Sequence, residues 1–235
     1  MRPVSRIVLC LALLIIASSA VSAQKQKAGT SAVTTAVTTK DKKTTIVTTP
    51  SGVRTPYVDD NAGLSVIFSN LATDYPNGLY WCCQGVTVSG PNSPFFVEWW
   101  HAAAFTPTTN ATVAKVTVSV GYLAGNGKIN LSLNADDGGI PGAVLEQWTL
   151  YKLGEAGTCC TVQSRKTAGV ALTAGQQYWI VASTDADSSV WAAWNQADND
   201  QVSSFLNAGY TNQFGAPAWQ SYTTNLNVAF AVYGQ

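Results

Sequence analysis

The chain has 235 residues, 11% of them charged and 46% hydrophobic, and thirteen Lys and Arg balance thirteen Asp and Glu. A single histidine excludes a His-rich metal centre. Low charge density with many Thr, Ser, Gly and aromatic residues suits an extracellular all-β module and argues against nucleic-acid binding, which needs a basic footprint.

The N-terminus reads as an export signal. Arg2 and Arg6 precede an apolar run from Ile7 to Ala17, small residues follow, and Val21-Ser22-Ala23 fits a peptidase site before Gln24. The run is shorter than the ~20 residues that span a bilayer, so residues 1–23 are expected to be cleaved. The mature chain is expected to carry no transmembrane segment and to be secreted, either free or associated with the cell envelope. No C-terminal anchor is visible, and Cys10 falls within the signal.

Residues 24–56 repeat a small unit: Ala32-Val33-Thr34-Thr35, Ala36-Val37-Thr38-Thr39 and Ile46-Val47-Thr48-Thr49. Without aromatic residues the segment has little apolar area to offset the entropy of ordering, and it is expected to be a disordered tether. Its β-branched residues could instead add a strand, although Pro50 and Pro56 oppose that. The segment holds six basic residues against Asp41 alone, a net +5. Residues 57–235 hold five basic and twelve acidic residues, a net −7, and are expected to form one domain.

Four cysteines lie in this domain as two doublets, Cys82-Cys83 and Cys159-Cys160. An even set after an export signal implies an oxidising compartment and disulfides. Three connectivities exist, and pairing between the doublets is favoured over bonds within them. Adjacent cysteines diverge too much to chelate zinc well, and no C-x-x-C redox motif is present.

Alternation marks the strands. Val116, Val118 and Val120 share one face of Val113–Tyr122, and Ile129, Leu131 and Leu133 share one face of Lys128–Ala135, opposite Asn130, Ser132 and Asn134. Further candidates are Ser65–Ser69, Val97–Thr106, Val144–Leu150, Gln177–Thr184, Val190–Asn195, Gln201–Leu206 and Val228–Tyr233. Gly125-Asn126-Gly127 predicts a tight hairpin between two of them. No stretch has sustained helical periodicity. About eight to ten strands with such turns predict a two-sheet antiparallel β-sandwich, most simply a jelly roll.

The runs Phe105-Thr106-Pro107, Leu131 to Gly142 (LSLNADDGGIPG), Leu172 to Val181 (LTAGQQYWIV) and Val228 to Gly234 (VAFAVYG) resemble bacterial secreted jelly-roll modules of the choice-of-anchor type. These are similar in build to carbohydrate-binding modules. The resemblance covers about Phe95 to Gly234. It implies a fold and an extracellular setting rather than an activity.

The catalytic signals are weak. His101 lies in an aromatic strand, no G-x-S-x-G elbow accompanies it, and it reads as a structural histidine. Asp136, Asp137, Glu146, Asp185, Asp187, Asp198 and Asp200 could supply a glycosidase pair, but most stand in turn-like segments. Asp185-Ala186-Asp187 and Asp198-Asn199-Asp200 are the best places for a structural calcium ion, a minority reading, and no other cofactor is expected. Aromatic residues are the strongest binding signal. Sugar rings stack on exposed indoles beside amide and carboxyl groups, which makes Trp191, Trp194, Tyr210, Trp219 and Tyr222 the candidate contacts. Packing of these rings in the core is the competing role. The chain is thus expected to be a secreted, non-catalytic binding or adhesion module for carbohydrate or another cell-surface polymer. A self-associating structural envelope or matrix protein and a small carboxylate-dependent hydrolase are the alternatives.

Overall fold

The computed structural model of the protein describes residues 35–38, 45–48, 61–71, 80–157, 162–197, 205–210, 219–221 and 227–235. Among them there is no helix. The chain runs through β1 (Thr35–Thr38), β2 (Thr45–Thr48), β3 (Ser65–Ser69), β4 (Trp81–Ser89) and β5 (Glu98–Phe105). It continues through β6 (Ala111–Val118), β7 (Val120–Ala124), β8 (Ile129–Asp136), β9 (Pro141–Leu150), β10 (Gln163–Lys166) and β11 (Ala171–Leu172). It ends with β12 (Tyr178–Ser183), β13 (Trp191–Gln196), β14 (Phe205–Tyr210), β15 (Trp219–Ser221) and β16 (Phe230–Gly234).

The strands form two antiparallel sheets, the expected all-β sandwich. In the smaller, β6 lies between β16 and the short strands β10 and β11, and β3 flanks β16. In the larger, β5 lies between β12 and β14; β8 and β9 continue beyond β12, and β15 continues beyond β14. The rest of this sheet is β7, β13 and β4, joined to β5 where Ser89 pairs with Trp99, with β2 and then β1 beside β4.

The core lies between the sheets, and period-2 alternation selects its members. Val113, Val116 and Val118 of β6, with Phe230 and Val232 of β16, face Ala103 and Phe105, Leu131 and Leu133, and Ile180 and Ala182 of the larger sheet. Phe68 stacks on Phe230 at 4.8 Å between ring centroids. Most strands expected from alternation have a counterpart within a few residues; of the expected Gln201–Leu206, only Phe205 and Leu206, in β14, are among the described residues. β4, β10, β11 and β15 carry no alternation strong enough to have been singled out.

One expected element differs. Val113–Tyr122 is not a single strand. It breaks at Ser119, so β6 lies in the smaller sheet and β7 in the larger. The Gly125-Asn126-Gly127 turn therefore joins β7 and β8, which do not pair with each other. Its glycines serve a close approach: a Cβ on Gly125, at φ +86°, would stand 1.9 Å from the Ser189 carbonyl oxygen.

Within the segment read as a tether, two of the repeats are strands. Thr35–Thr38 pairs with Thr45–Thr48, and β2 in turn pairs with β4 through Ile46↔Val86, Val47↔Gly85 and Thr48↔Gln84. Their β-branched residues suit a strand laid along an existing sheet edge. The other residues of 24–56, and the signal segment, lie outside the described residues.

Leu131 is fully buried, whereas Val144 on β9 is 55% exposed. Leu131→Ala is expected to destabilise the domain by about 2–5 kcal/mol and Val144→Ala by less than about 0.5 kcal/mol, measured by denaturant unfolding.

Candidate functional site on the outer face of the larger sheet

Residues that alternate with the core on β5, β8 and β12 cover the face of the larger sheet that turns away from the smaller one. On β5 these are Glu98, Trp100, Ala102 and Ala104; on β12, Trp179 and Val181; on β8, Asn130, Ser132 and Asn134. Ala102, Ala104, Trp179 and Val181 form an apolar patch of their own, and Trp219 packs on it. The register places Trp219 opposite Ala208 and Ala208 opposite Trp100. Two tryptophans on one face are thus separated by a single strand, about 10 Å from row to row. Both rings are partly exposed, whereas Trp179 is fully buried.

Polar groups border these rings. The Trp100 indole N–H donates to Glu98 Oε1 (3.0 Å) and lies 3.2 Å from Thr184 Oγ1, whose hydroxyl also donates to Glu98 Oε1 (3.0 Å). Burial pushes the Glu98 carboxyl above its ordinary range, against the opposing hydrogen bonds from Thr184 and Trp100. Next along the chain, Asp185 accepts from Lys128 Nζ and from Asn130 Nδ2 (2.6 Å), and these donors, Lys128 foremost, hold its carboxyl low. At the far end of β8, Asp136 Oδ1 accepts from Trp179 Nε1 and Gln177 Nε2, both at 2.7 Å. Burial works against its ionisation, but these bonds and the Gly139 N–H outweigh it and keep the carboxyl below its usual range. Between the two ends, Ser132 donates to Asn134 Oδ1 (2.7 Å) and Asn134 Nδ2 to the Gly142 carbonyl (2.9 Å). The face thus joins a largely buried apolar patch, with Trp100 and Trp219 partly exposed at its border, to a row of amide, hydroxyl and carboxylate groups oriented by one another, of which Asn130, Ser132, Asn134 and Thr184 are themselves buried.

The five aromatic candidates separate. Trp219 is on this face, and β14 places Tyr210 at the register position opposite Glu98. Tyr222 lies outside the described residues. Trp194 has no exposed surface: it packs against Phe230 in the core and its indole N–H donates to the Ala229 carbonyl (3.0 Å). It stands three residues from Trp191 on one strand, and that spacing sends the two rings to opposite sides. Trp191 is half-buried against Phe95, 4.9 Å away edge-on, which in turn meets the buried Trp99. Among the described residues its indole N–H has no hydrogen-bond partner.

Trp100, Trp179, Glu98 and the β8 amides were not among the candidates. The alternation of Asn130, Ser132 and Asn134 against Ile129, Leu131 and Leu133 was the available signal, and it reads as an ordinary solvent face. Phe96 was also missed. It is 76% exposed and holds a left-handed φ of +54°, two residues before Glu98. Its loop is fixed by Asn92, whose N–H donates to the Ser188 carbonyl and whose side-chain amide donates to the Asp187 carbonyl, both at 3.0 Å.

The calcium and hydrolase candidates are placed as follows. Asp185 is engaged by Lys128 and Asn130, and Asp198 and Asp200 lie outside the described residues. Among the described residues no three His, Cys, Asp or Glu side chains gather around one point. Cys82 and Cys83 open β4, while their side chains and Cys159-Cys160 lie outside the described residues. No helix among the described residues is long and apolar enough to cross a membrane.

His101 is fully buried and its Nε2 lies 2.6 Å from the Thr87 carbonyl, which can only accept. The neutral ring therefore carries its proton on Nε2. Burial lowers its pKa from 6.5 to about 4, the Thr87 bond opposing the shift. Between those values the unfolded chain binds a proton that the folded chain does not. Stability is therefore expected to be fully present above pH 6.5 and to fall by about 3 kcal/mol as pH drops through 4. Urea titrations from pH 7 to pH 4 should show this loss, and His101→Gln should remove its share of the slope.

The chain matches no known family model, and no curated protein and no solved structure matches it, so a functional reading rests on the chemistry of this face.

Proposed function

We propose that the protein is a secreted, non-catalytic binding module for carbohydrate or another cell-surface polymer, and that the ligand lies across the outer face of the larger sheet. The pair Trp100 and Trp219 carries this reading: two partly exposed indoles one strand apart, bordered by Glu98, Thr184, Asp185 and Asn130. Indole faces stack on the C–H faces of sugar rings, and of the bordering groups the partly exposed carboxylates of Glu98 and Asp185 match hydroxyl donors, while the buried Thr184 and Asn130 hold them in place. The net charge of −7 over residues 57–235 favours a ligand that is not a polyanion. The carboxylates of Glu98, Asp136 and Asp185 are each engaged by donors of the protein itself, which favours holding a ligand over cleaving one. Phe96 adds support. A bulky residue with left-handed backbone costs about 1–2 kcal/mol, and this one makes little packing in return.

Export and disulfides belong to the same proposal. The segment 1–23 directs secretion, and the resemblance to choice-of-anchor modules fits an extracellular setting. Cross-pairing of the two cysteine doublets is supported by their neighbours: Tyr80, two residues before Cys82, and Val162, two residues after Cys160, meet in one apolar cluster. Such a bond would close a loop of about 80 residues and stabilise the domain by roughly 4–5 kcal/mol.

Glycan-array binding by the mature chain tests the site. Retention on at least one plant, fungal or bacterial polysaccharide is expected, with Trp219→Ala and Trp100→Ala each weakening it by about 30-fold, or ~2 kcal/mol. Failure to bind any of them would sink the reading. Non-reducing peptide mapping of the secreted protein should join residues 82–83 to residues 159–160, and four free thiols would remove the cross-link.

A further inference from the structure

The N-terminal repeats sit at the edge of the larger sheet in a way that binding does not require. β2 covers β4 through three register pairs, and β1 then covers β2 and ends the sheet order on that side. Beneath them the β4 edge is built to receive a strand. Val86 is fully buried in the core, and Gly85 lets β4 approach β13 closely on its other side, where a Cβ would stand 2.6 Å from the Trp194 carbonyl oxygen. Bare backbone at such an edge is a template for strand pairing.

We propose that the repeats are an exchangeable strand, so that β2 of one copy docks on the β4 edge of a second copy and links the two. This inference stands apart from the ligand-binding reading. The contacts made within one copy and between two copies are the same, which is the condition for domain swapping. The repeat widens the choice, since Val37-Thr38 of β1 recurs as Val47-Thr48 of β2. Charge favours docking of the segment on either its own or a neighbouring domain, since a segment of net +5 meets a domain of net −7. Twelve residues, 49–60, connect β2 to Asn61, whose side chain is fixed by Lys115 Nζ at 2.7 Å. Fully extended they reach about 40 Å, enough to cross to a neighbour. A connector of that length also holds β2 near its own β4 at an effective concentration on the order of millimolar, so exchange belongs to crowded conditions.

Cysteine trapping tests this. Thr48 and Gln84 are register partners, and directly opposed residues of an antiparallel pair fall within disulfide reach. Full mature chains carrying Thr48→Cys and differently tagged chains carrying Gln84→Cys are mixed at rising concentration and oxidised. Neither variant can form the 48–84 bond within one chain. The expected result is a mixed covalent dimer, mapped to positions 48 and 84, whose share rises with concentration. Adding Val47→Pro to the first chain should lower that share at least ten-fold, because Pro cannot donate to the ladder. The double variant Thr48→Cys/Gln84→Cys serves as the control within one chain. An internal bond there with no mixed dimer at the highest soluble concentration overturns the exchange. Absence of both bonds overturns the seating of β2 on β4.

Discussion

The arrangement of the two sheets depends on a buried polar knot where the chain crosses from one sheet to the other. Ser119 donates its N–H to the Ala229 carbonyl (3.2 Å) and accepts at its own carbonyl from the Asn195 backbone (2.9 Å) and side chain (2.7 Å). Ala229 N–H donates to the Asn195 carbonyl (2.8 Å), and the Ser119 hydroxyl lies within reach of both carbonyls. Ser119, Asn195 and Ala229 are all buried. Unpaired, these groups would each cost a desolvation penalty of about 1–3 kcal/mol. Paired, they fix the break between β6 and β7 and so decide which strands join which sheet. The smaller sheet then holds β6 and β16 over the core, while the larger sheet frees its outer face for the tryptophans.

That crossing also explains the division between what was legible in the sequence and what was not. Alternation tells which side chains share a face, and on β6, β8 and β16 it named the core correctly. It does not tell which sheet a strand enters. Val116, Val118 and Val120 keep their period across Ser119, although the strand breaks there and its second half pairs elsewhere. The Gly125-Asn126-Gly127 turn suffers from the same ambiguity, since its composition suits a hairpin and an arch alike.

The candidate site was less legible than the fold because aromatic residues serve both core and surface. Trp194 and Trp191 looked alike, and only the pairing of β13 distinguishes a core ring from a half-covered one. On β12, Trp179 and Ile180 are adjacent and both fully buried, so no contrast between inside and outside remained to mark the outer face. The long connections added difficulty. Glu98 and Asn130 are far apart in sequence and are linked to the adjacent Thr184 and Asp185 only because β12 lies between β5 and β8. In the repeats, composition argued for a chain too poor in apolar area to order itself. The strands found there gain order by borrowing the β4 edge, a source of free energy that local composition does not report.

The Asn130, Ser132 and Asn134 row carries one more consequence. Its amides and hydroxyl are already satisfied by each other, by Thr149, by Asp185 and by the Gly142 carbonyl. All three side chains are also buried, so on the proposed reading a ligand would gain few new bonds from them and a single contact on this face would be weak. Firm attachment would have to come from number: many modules along one repeating chain, each free to let go while its neighbours hold. On the proposed reading, such a surface would suit rebinding along a polymer rather than locking onto one end of it.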